Sequence, residues 1–536
     1  MIIKSKYISF ALSSVFLSTA SSAFADSDSS NFLHEYWSGT PSYFECKFGR
    51  LGSSPIGLPR CMTADNIKEH LEMLNDIARA NNGTRAAGLK GYDDSVDYVM
   101  STLEKAGYKP KLDTFPFNAF YPQGPGILKT VAGDSGTEYE FEADFNYLTQ
   151  TEGGDVTAMV EAVDLDLGPD NASTSGCEPE DFDGFTAGNI ALIQRGACSF
   201  QQKAENAAAA GAVGAIIFNQ GNSDDRKGLI NATLSDGYSG GIPVFFATYD
   251  NGVAWTETKD LSMQMVADVI RVQTETVNVI AETHGGDPDN VVMVGAHLDS
   301  VFEGAGVNDN GSGSAAILEM AIQMRRAHVH NKVRFAWWGA EEAGLVGSTD
   351  YVLNLSQEEK EKIKVYLNFD MIASPNFAYM IYDGDGSDFD LEGPPGSKAT
   401  EMLFEEYFKI RGLPSEGTQI SFRSDYAQFF EEGIAFGGLF TGAEVPKTEE
   451  QAAKYGGDAG VALDYCYHAA CDDINNLNLE ALEINADAAA FVTSWFARTT
   501  RIIDEEIEAA NAPTMFRMMS SKVAYDKTHW GKYWIK

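Results

Sequence analysis

The sequence predicts an α/β protein: a largely parallel central sheet flanked by helices, with a β-rich insert. Three observations carry this. From Val277 onward short apolar runs alternate with helical patterns, as strand–helix–strand units do. Between about 120 and 272 strand-like runs alternate with Gly and Asp turns instead. And the residues able to do chemistry each follow an apolar run, where open α/β sheets bind ligands. At 536 residues the chain is too long for one ordinary domain.

The elements follow in order. Lys4 and Lys6 precede a mostly apolar stretch, residues 7–20, and Ala23-Phe24-Ala25 is a small-x-small cleavage site. Residues 1–25 therefore read as a signal peptide cut near Ala25. The run is too short and too rich in Ser to span a bilayer, so the product is expected to be secreted, extracellular or periplasmic. Residues 26–61 are Ser-, Gly- and Pro-rich: a spacer, a removable pro-segment, or an arm closed by a disulfide. Thr63-Ala64-Asp65 caps a helix over 63–81, with Ile67, Leu71, Leu74 and Ile77 at helical spacing. A second helix lies within 91–107, with Val96, Val99, Leu103 and Ala106 on one face. Strands are predicted at 291–294, 333–338 and 365–369, a helix at 314–327, and one last helix from about 485 to 509. The division is a catalytic unit of 62–119 and 273–510, an insert of 120–272, and a basic, aromatic tail of 511–536.

Exported chains favour disulfides. Six Cys allow fifteen pairings, and proximity favours Cys46–Cys61, Cys177–Cys198 and Cys466–Cys471. Zinc ligation is the alternative for Cys466 and Cys471. With 39 Lys and Arg against 78 Asp and Glu, the net charge is −39. Nucleic acid and anionic membranes would be repelled.

The chemistry lies in five short segments: Gly295-Ala296-His297-Leu298-Asp299-Ser300, Gly306-Val307-Asn308-Asp309-Asn310-Gly311, Gly339-Ala340-Glu341-Glu342, Asn368-Phe369-Asp370 and Cys466-Tyr467-His468. Taken singly each is weak. Asp309 reads equally as a helix N-cap, and six further His lack any ligand-like context. Together His297, Asp309, Glu342, Asp370 and His468 supply the nitrogen and carboxylate donors that two zinc ions with a bridging carboxylate need. Of two adjacent glutamates, one can hold metal while the other serves as a base.

Two resemblances follow. Arg195-Gly196-x-Cys198-Ser199-Phe200, the Ala-rich stretch after it and the later Ile242-Pro243-Val244 resemble the protease-associated domain, a module inserted in several exported peptidases. Residues 63–115 and 277–505 resemble the di-zinc aminopeptidase family that includes exported bacterial leucyl aminopeptidases. The segments above carry this resemblance, with Arg423-Ser424-Asp425-Tyr426 and Gly437-Gly438-Leu439-Phe440-Thr441-Gly442-Ala443. It implies a zinc exopeptidase fold and hydrolysis of the first residue from peptides and proteins with a free N-terminus, apolar residues such as Leu being preferred. It implies two zinc ions per chain, one on His297 and Asp370, the other on Glu342 and His468, with Asp309 bridging. Glu341 would be the general base and acid, Tyr467 would stabilise the oxyanion, and Asp299 would orient His297. Met371 and Phe440 would line the side-chain pocket, Arg423 would touch substrate, and a cis peptide would follow Asp309. Tyr426 departs from the family, which often has His there. A monomer is expected. The alternative is a related zinc carboxypeptidase, which would need basic groups for the terminal carboxylate.

Overall fold

The computed structural model of the chain describes Cys46 and residues 51–131, 136–223, 226–230, 232–235 and 237–511. The predicted signal peptide, most of the spacer and the tail from 512 lie outside the described residues. The helix Ala64–Ala80 opens on Thr63, whose hydroxyl accepts from the Asn66 backbone N–H. The helix Lys90–Ala106 ends at Gly107, which takes the left-handed conformation (φ 99°) that lets its N–H reach the last-turn carbonyls.

Strand β1 (Lys111–Pro122) then leaves this layer. Eight strands follow: β2 (Ile127–Thr130), β3 (Phe145–Thr149), β4 (Gly154–Val163), β5 (Ile190–Gln194), β6 (Gly214–Phe218), β7 (Ala232–Thr233), β8 (Val244–Ala247) and β9 (Ser262–Ala267). They form a sheet of their own in the order β2-β9-β4-β5-β6-β8-β3-β7. The run β4-β5-β6-β8 is parallel. The Ala-rich helix Phe200–Ala209 packs on it, and Ser199 caps that helix by accepting from the Gln202 N–H. Strand β10 (Val269–Glu282) returns antiparallel to β1 over twelve residue pairs, from Pro122 opposite Val269 to Lys111 opposite Ile280. The insert thus hangs on a two-stranded ribbon continuous with the catalytic sheet.

That sheet is completed by β11 (Asp287–His297), β12 (Asn331–Trp338), β13 (Ile363–Phe369), β14 (Met380–Tyr382), β15 (Glu416–Thr418) and β16 (Phe436–Phe440). The order is β1-β10-β12-β11-β13-β16-β14-β15. Its centre, β12-β11-β13-β16, is all parallel. Val291 to His297 are buried throughout, which is why β11 reads as an unbroken apolar run rather than an alternating one. Both faces are covered: Leu71, Val99, Ile317 and Val492 fill one cluster with Val294 and Leu367, while Trp338, Tyr366, Phe429 and Phe436 fill another.

One prediction is corrected. The last helix is two, Leu479–Phe496 and Arg501–Asn511. The turn before β12 captures the C-terminal carbonyls of the first. The Asn331 side chain donates to the Phe496 carbonyl at 2.6 Å, and the backbone N–H groups of His330 and Asn331 donate to the Ala497 carbonyl. With these acceptors taken, the helix stops. Three disulfides join Cys46 to Cys61, Cys177 to Cys198 and Cys466 to Cys471.

Candidate functional site

His297 is the last residue of β11, Glu341 and Glu342 follow β12, Asp370 follows β13, and Phe440 ends β16. Adjacent parallel strands therefore deliver these side chains to one edge of the sheet. Asp309 comes from 307–312, which feeds the buried helix Gly313–Met324. Two residues make that turn. The Asn310 side chain accepts from the Gly313 N–H and donates to the Phe369 carbonyl, and Gly313 lies against the same carbonyl, where a Cβ would come within 2.1 Å of its oxygen. The Asp309–Asn310 peptide is cis.

Two groups of donors result. His297 Nε2 lies 3.4 Å from Asp370 Oδ1 and 4.0 Å from Glu341 Oε2. His468 Nε2 lies 3.3 Å from Glu342 Oε2. Asp309 stands between them: its Oδ1 is 3.2 Å from His297 Nε2 and its Oδ2 is 3.1 Å from His468 Nε2. One carboxylate thus presents a separate oxygen to each imidazole. His297 Nε2 and Asp370 Oδ1 are fully buried and accept or donate no hydrogen bond. Leaving such atoms bare is costly unless a ligand takes them, so the first group fits a cation; at the second, Asp309, Glu342 and His468 offer ligand atoms within 4.8 Å of one another, a spacing that also suits one. Burial alone would lower the His297 pKa, but Glu341, Asp370, Asp299 and Asp309 together hold it well above the usual imidazole value. That field attracts positive charge.

Around these atoms the backbone is fixed by several devices. Ala340, Met371 and His468, each at or beside a donor, have φ of 51–55°, which non-glycine residues adopt only when neighbours hold them there. For Met371 the holders are Asn310 Oδ1, accepting its N–H, and Thr441, donating both N–H and hydroxyl to its carbonyl. Asp299 touches His297 and more besides. Its main-chain carbonyl, 3.1 Å away, faces His297 Nδ1, while its carboxylate, 3.7 Å from that nitrogen, accepts the N–H groups of Glu341 (3.1 Å) and Glu342 (3.2 Å). It sets the imidazole and both glutamates at once.

Asp370 is held by a relay from the core. Trp338 Nε1 donates to Tyr366, Tyr366 to Asn368 Oδ1, Asn368 Nδ2 to Ser424, and Ser424 to Asp370 Oδ2, at 2.9, 2.9, 2.8 and 2.6 Å. Every donor points toward the carboxylate, so the bonds polarise one another. Asp472 accepts the N–H groups of Asn308 (2.9 Å) and Asp309 (3.0 Å). Arg85, fully buried, donates to the carbonyls of Leu298, Ala305 and Gly306 and so ties down the chain between His297 and Asp309. Sequence reading singled out none of Ser424, Asp472 or Arg85. Ser424 lies inside the Arg423–Tyr426 segment and Asp472 directly follows Cys471, four residues after His468, so a polar side chain close to a named segment was a usable signal. Arg85, in a connection between two helices, offered none.

Met371, Leu345, Tyr382 and Phe440 line a pocket of ≈ 80 Å³ that also exposes Glu341, Asp370, Arg423 and Tyr467. Tyr467 stacks on His468 with ring centroids 3.7 Å apart, on the loop closed by Cys466–Cys471. Burial pushes the Tyr467 phenol well above its usual pKa, so it is a proton donor at neutral pH. Tyr426 turns away. Its buried hydroxyl accepts the N–H groups of Ser421 and Phe422, and it shapes the Arg423 loop from beneath.

Residues 278–493 match the family described as Peptidase family M28, and residues 157–255 match the PA domain. An aminopeptidase of Pseudomonas aeruginosa strain UCBPP-PA14 is 61% identical over 529 residues, covering 98% of each chain. A probable leucine aminopeptidase 2 of Aspergillus oryzae is 40% identical, covering 84% of this chain and 87% of its own. Among solved structures, an aminopeptidase from Aneurinibacillus sp. strain AM-1 superposes with a TM-score of 0.64 at 25% identity, covering 82% of this chain and 95% of that one.

Proposed function

From the premise that this chain belongs to peptidase family M28, with a PA domain inserted, we propose a secreted di-zinc aminopeptidase that removes apolar first residues such as Leu. The chain is a metallo-aminopeptidase. The observation that carries the di-zinc reading is Asp309, with one oxygen toward His297 and the other toward His468. His297 and Asp370 would hold one ion, Glu342 and His468 the other, with Asp309 shared. Nitrogen and carboxylate donors of this kind suit zinc. Bound, the ions supply Lewis acidity and a water acidic enough to ionise near neutral pH.

The protein's own groups do the rest. Glu341, 4.0 Å from His297 Nε2 and lining the pocket, takes the proton of the attacking water and returns it to the leaving amine. Tyr467 donates its hydroxyl proton to the oxygen that gains charge. Leu345, Met371 and Phe440 accept an apolar side chain, in keeping with relatives named leucine aminopeptidases. All the proposed site residues come from one chain, which supports the reading as a monomer. Among the described residues Arg423 is the basic side chain lining the pocket, and it is paired with Glu444, which leaves a carboxypeptidase without its carboxylate anchor. Secretion accords with the N-terminal signal and three disulfides; among the described residues no helix is long and apolar enough to cross a membrane.

The test is hydrolysis of Leu-p-nitroanilide beside its N-acetylated form, with and without a chelator. Cleavage of the free-amine substrate alone, abolished by chelation and restored by zinc, is expected. No cleavage of either by the zinc-loaded protein would overturn the reading. Two zinc per chain by elemental analysis, falling to one in His468→Ala, checks the count.

A further inference from the structure

Arg423 enters the pocket gripped by a residue outside the pocket lining. Its Nη1 donates to Glu444 Oε1 at 2.8 Å, and its Nη2 faces Oε2 at 3.4 Å. The same Nη2 donates to the Tyr467 hydroxyl oxygen at 3.1 Å, with the guanidinium carbon 5.8 Å from the ring centroid. The Glu444 side chain is 39% exposed and lies on the solvent side of this chain of contacts.

A tyrosine hydroxyl has one proton and two lone pairs, and a guanidinium has donors only. Once Arg423 donates to the Tyr467 oxygen, that hydroxyl cannot point back at Arg423, and its own proton is left for the pocket. A charged donor also polarises the O–H bond and makes it a stronger donor. The arrangement depends on where the guanidinium sits. Glu341, Glu342 and Asp370 line the same pocket and attract it. A bidentate carboxylate on the far side is what holds the planar fork in place.

We infer that Glu444 is a positioning residue for the reaction: it fixes Arg423 against Tyr467, so that the Tyr467 proton is aimed at the substrate carbonyl oxygen, and it keeps Arg423 off the metal-binding carboxylates. The inference rests on the role proposed above for Tyr467.

The test uses the full, zinc-loaded chain as parent, Glu444→Gln, Glu444→Asp, Tyr467→Phe and the double variant Glu444→Gln/Tyr467→Phe. Glu444→Gln should lower kcat for Leu-p-nitroanilide about tenfold, a fraction of what losing an oxyanion donor costs, with KM and zinc content unchanged. Binding of the tetrahedral phosphonate analogue of leucine should weaken by the same factor, while binding of L-leucine stays put, since only the first resembles the transition state. Glu444→Asp, which keeps the carboxylate, should recover most of the loss. In the Tyr467→Phe background Glu444→Gln should have almost no further effect. A full tenfold loss in that background would overturn the role of Glu444 alone, as would a change confined to KM or a loss of zinc. Parent-like turnover by Tyr467→Phe would instead remove the role of Tyr467, and this inference with it.

Discussion

Replacing Arg85 by Met should destabilise the catalytic unit and loosen the metal site, although Arg85 touches no proposed ligand side chain. Its guanidinium is fully buried and makes three bonds to the carbonyls of Leu298, Ala305 and Gly306. Hydrogen bonds from a charged group contribute about 1.5–3 kcal/mol each, so the gross contribution is about 5–9 kcal/mol. Against this stands the burial of the charge, which lowers the Arg85 pKa from 12.5 to about 10 even though Asp299, Asp472 and Asp309 work to raise it. That drop corresponds to about 3 kcal/mol. The difference leaves Arg85→Met about 2–6 kcal/mol less stable, with three buried carbonyls unpaired. Urea unfolding of the zinc-loaded chain followed by tryptophan fluorescence reads this, because Trp337 and Trp338 are fully buried, one on each face of the catalytic sheet. Zinc affinity should fall in parallel, because the freed stretch joins His297 to Asp309. An Arg85→Met variant within about 0.5 kcal/mol of the parent, with unchanged zinc affinity, would show that the bonds only break even against burying the charge. Arg85→Lys should fall between, having the charge but not the planar fork.

Glu341→Gln should retain zinc and fold like the parent while kcat drops by about 10²–10⁴, the usual contribution of a positioned base; steady-state kinetics with metal analysis would check it. Tyr366→Phe cuts the relay to Asp370 and strands Trp338 Nε1 and Asn368 Oδ1, so a loss of about 2 kcal/mol is expected on denaturant unfolding, with weaker zinc binding than in the parent. Glu401, away from the site, has its carboxyl pushed up from 4.5 to about 7, mainly by burial and then by Asp385 and Asp383. Its folded pKa lies above the unfolded value, so its contribution is fully present below about pH 4.5 and is lost as pH rises through 7. Glu401→Gln, which can still accept the N–H groups of Gly384 and Asp385, should flatten the fall of Tm over that window. A slope identical to the parent's would mean Glu401 is not its source.

Much of the site was legible because the chemistry is local. His297, the glutamate pair and Asp370 each end or follow a strand whose apolar run marks it as buried, and open parallel sheets bring such ends together. The disulfide partners were nearest neighbours in sequence. What was not legible involves contacts between distant segments. The break before Arg501 depends on carbonyl capture by residues 330 and 331, some 165 positions away. No helical periodicity registers that. The second task of Asp299 was hidden for a like reason: a His-x-Asp pair suggests contact with the imidazole, but only the β12–β11 register brings the Glu341 and Glu342 N–H groups to its carboxylate as well.

The sequence by itself determined which residues are candidates to bind metal and move protons, because residue type and position at strand ends set that chemistry before any packing. Only the tertiary structure decided how Asp309 divides its oxygens between two imidazoles, which groups brace the ligands, and what holds Arg423 and Tyr467 together. Those depend on distances between segments from every part of the catalytic unit, and such distances exist only once the core has closed.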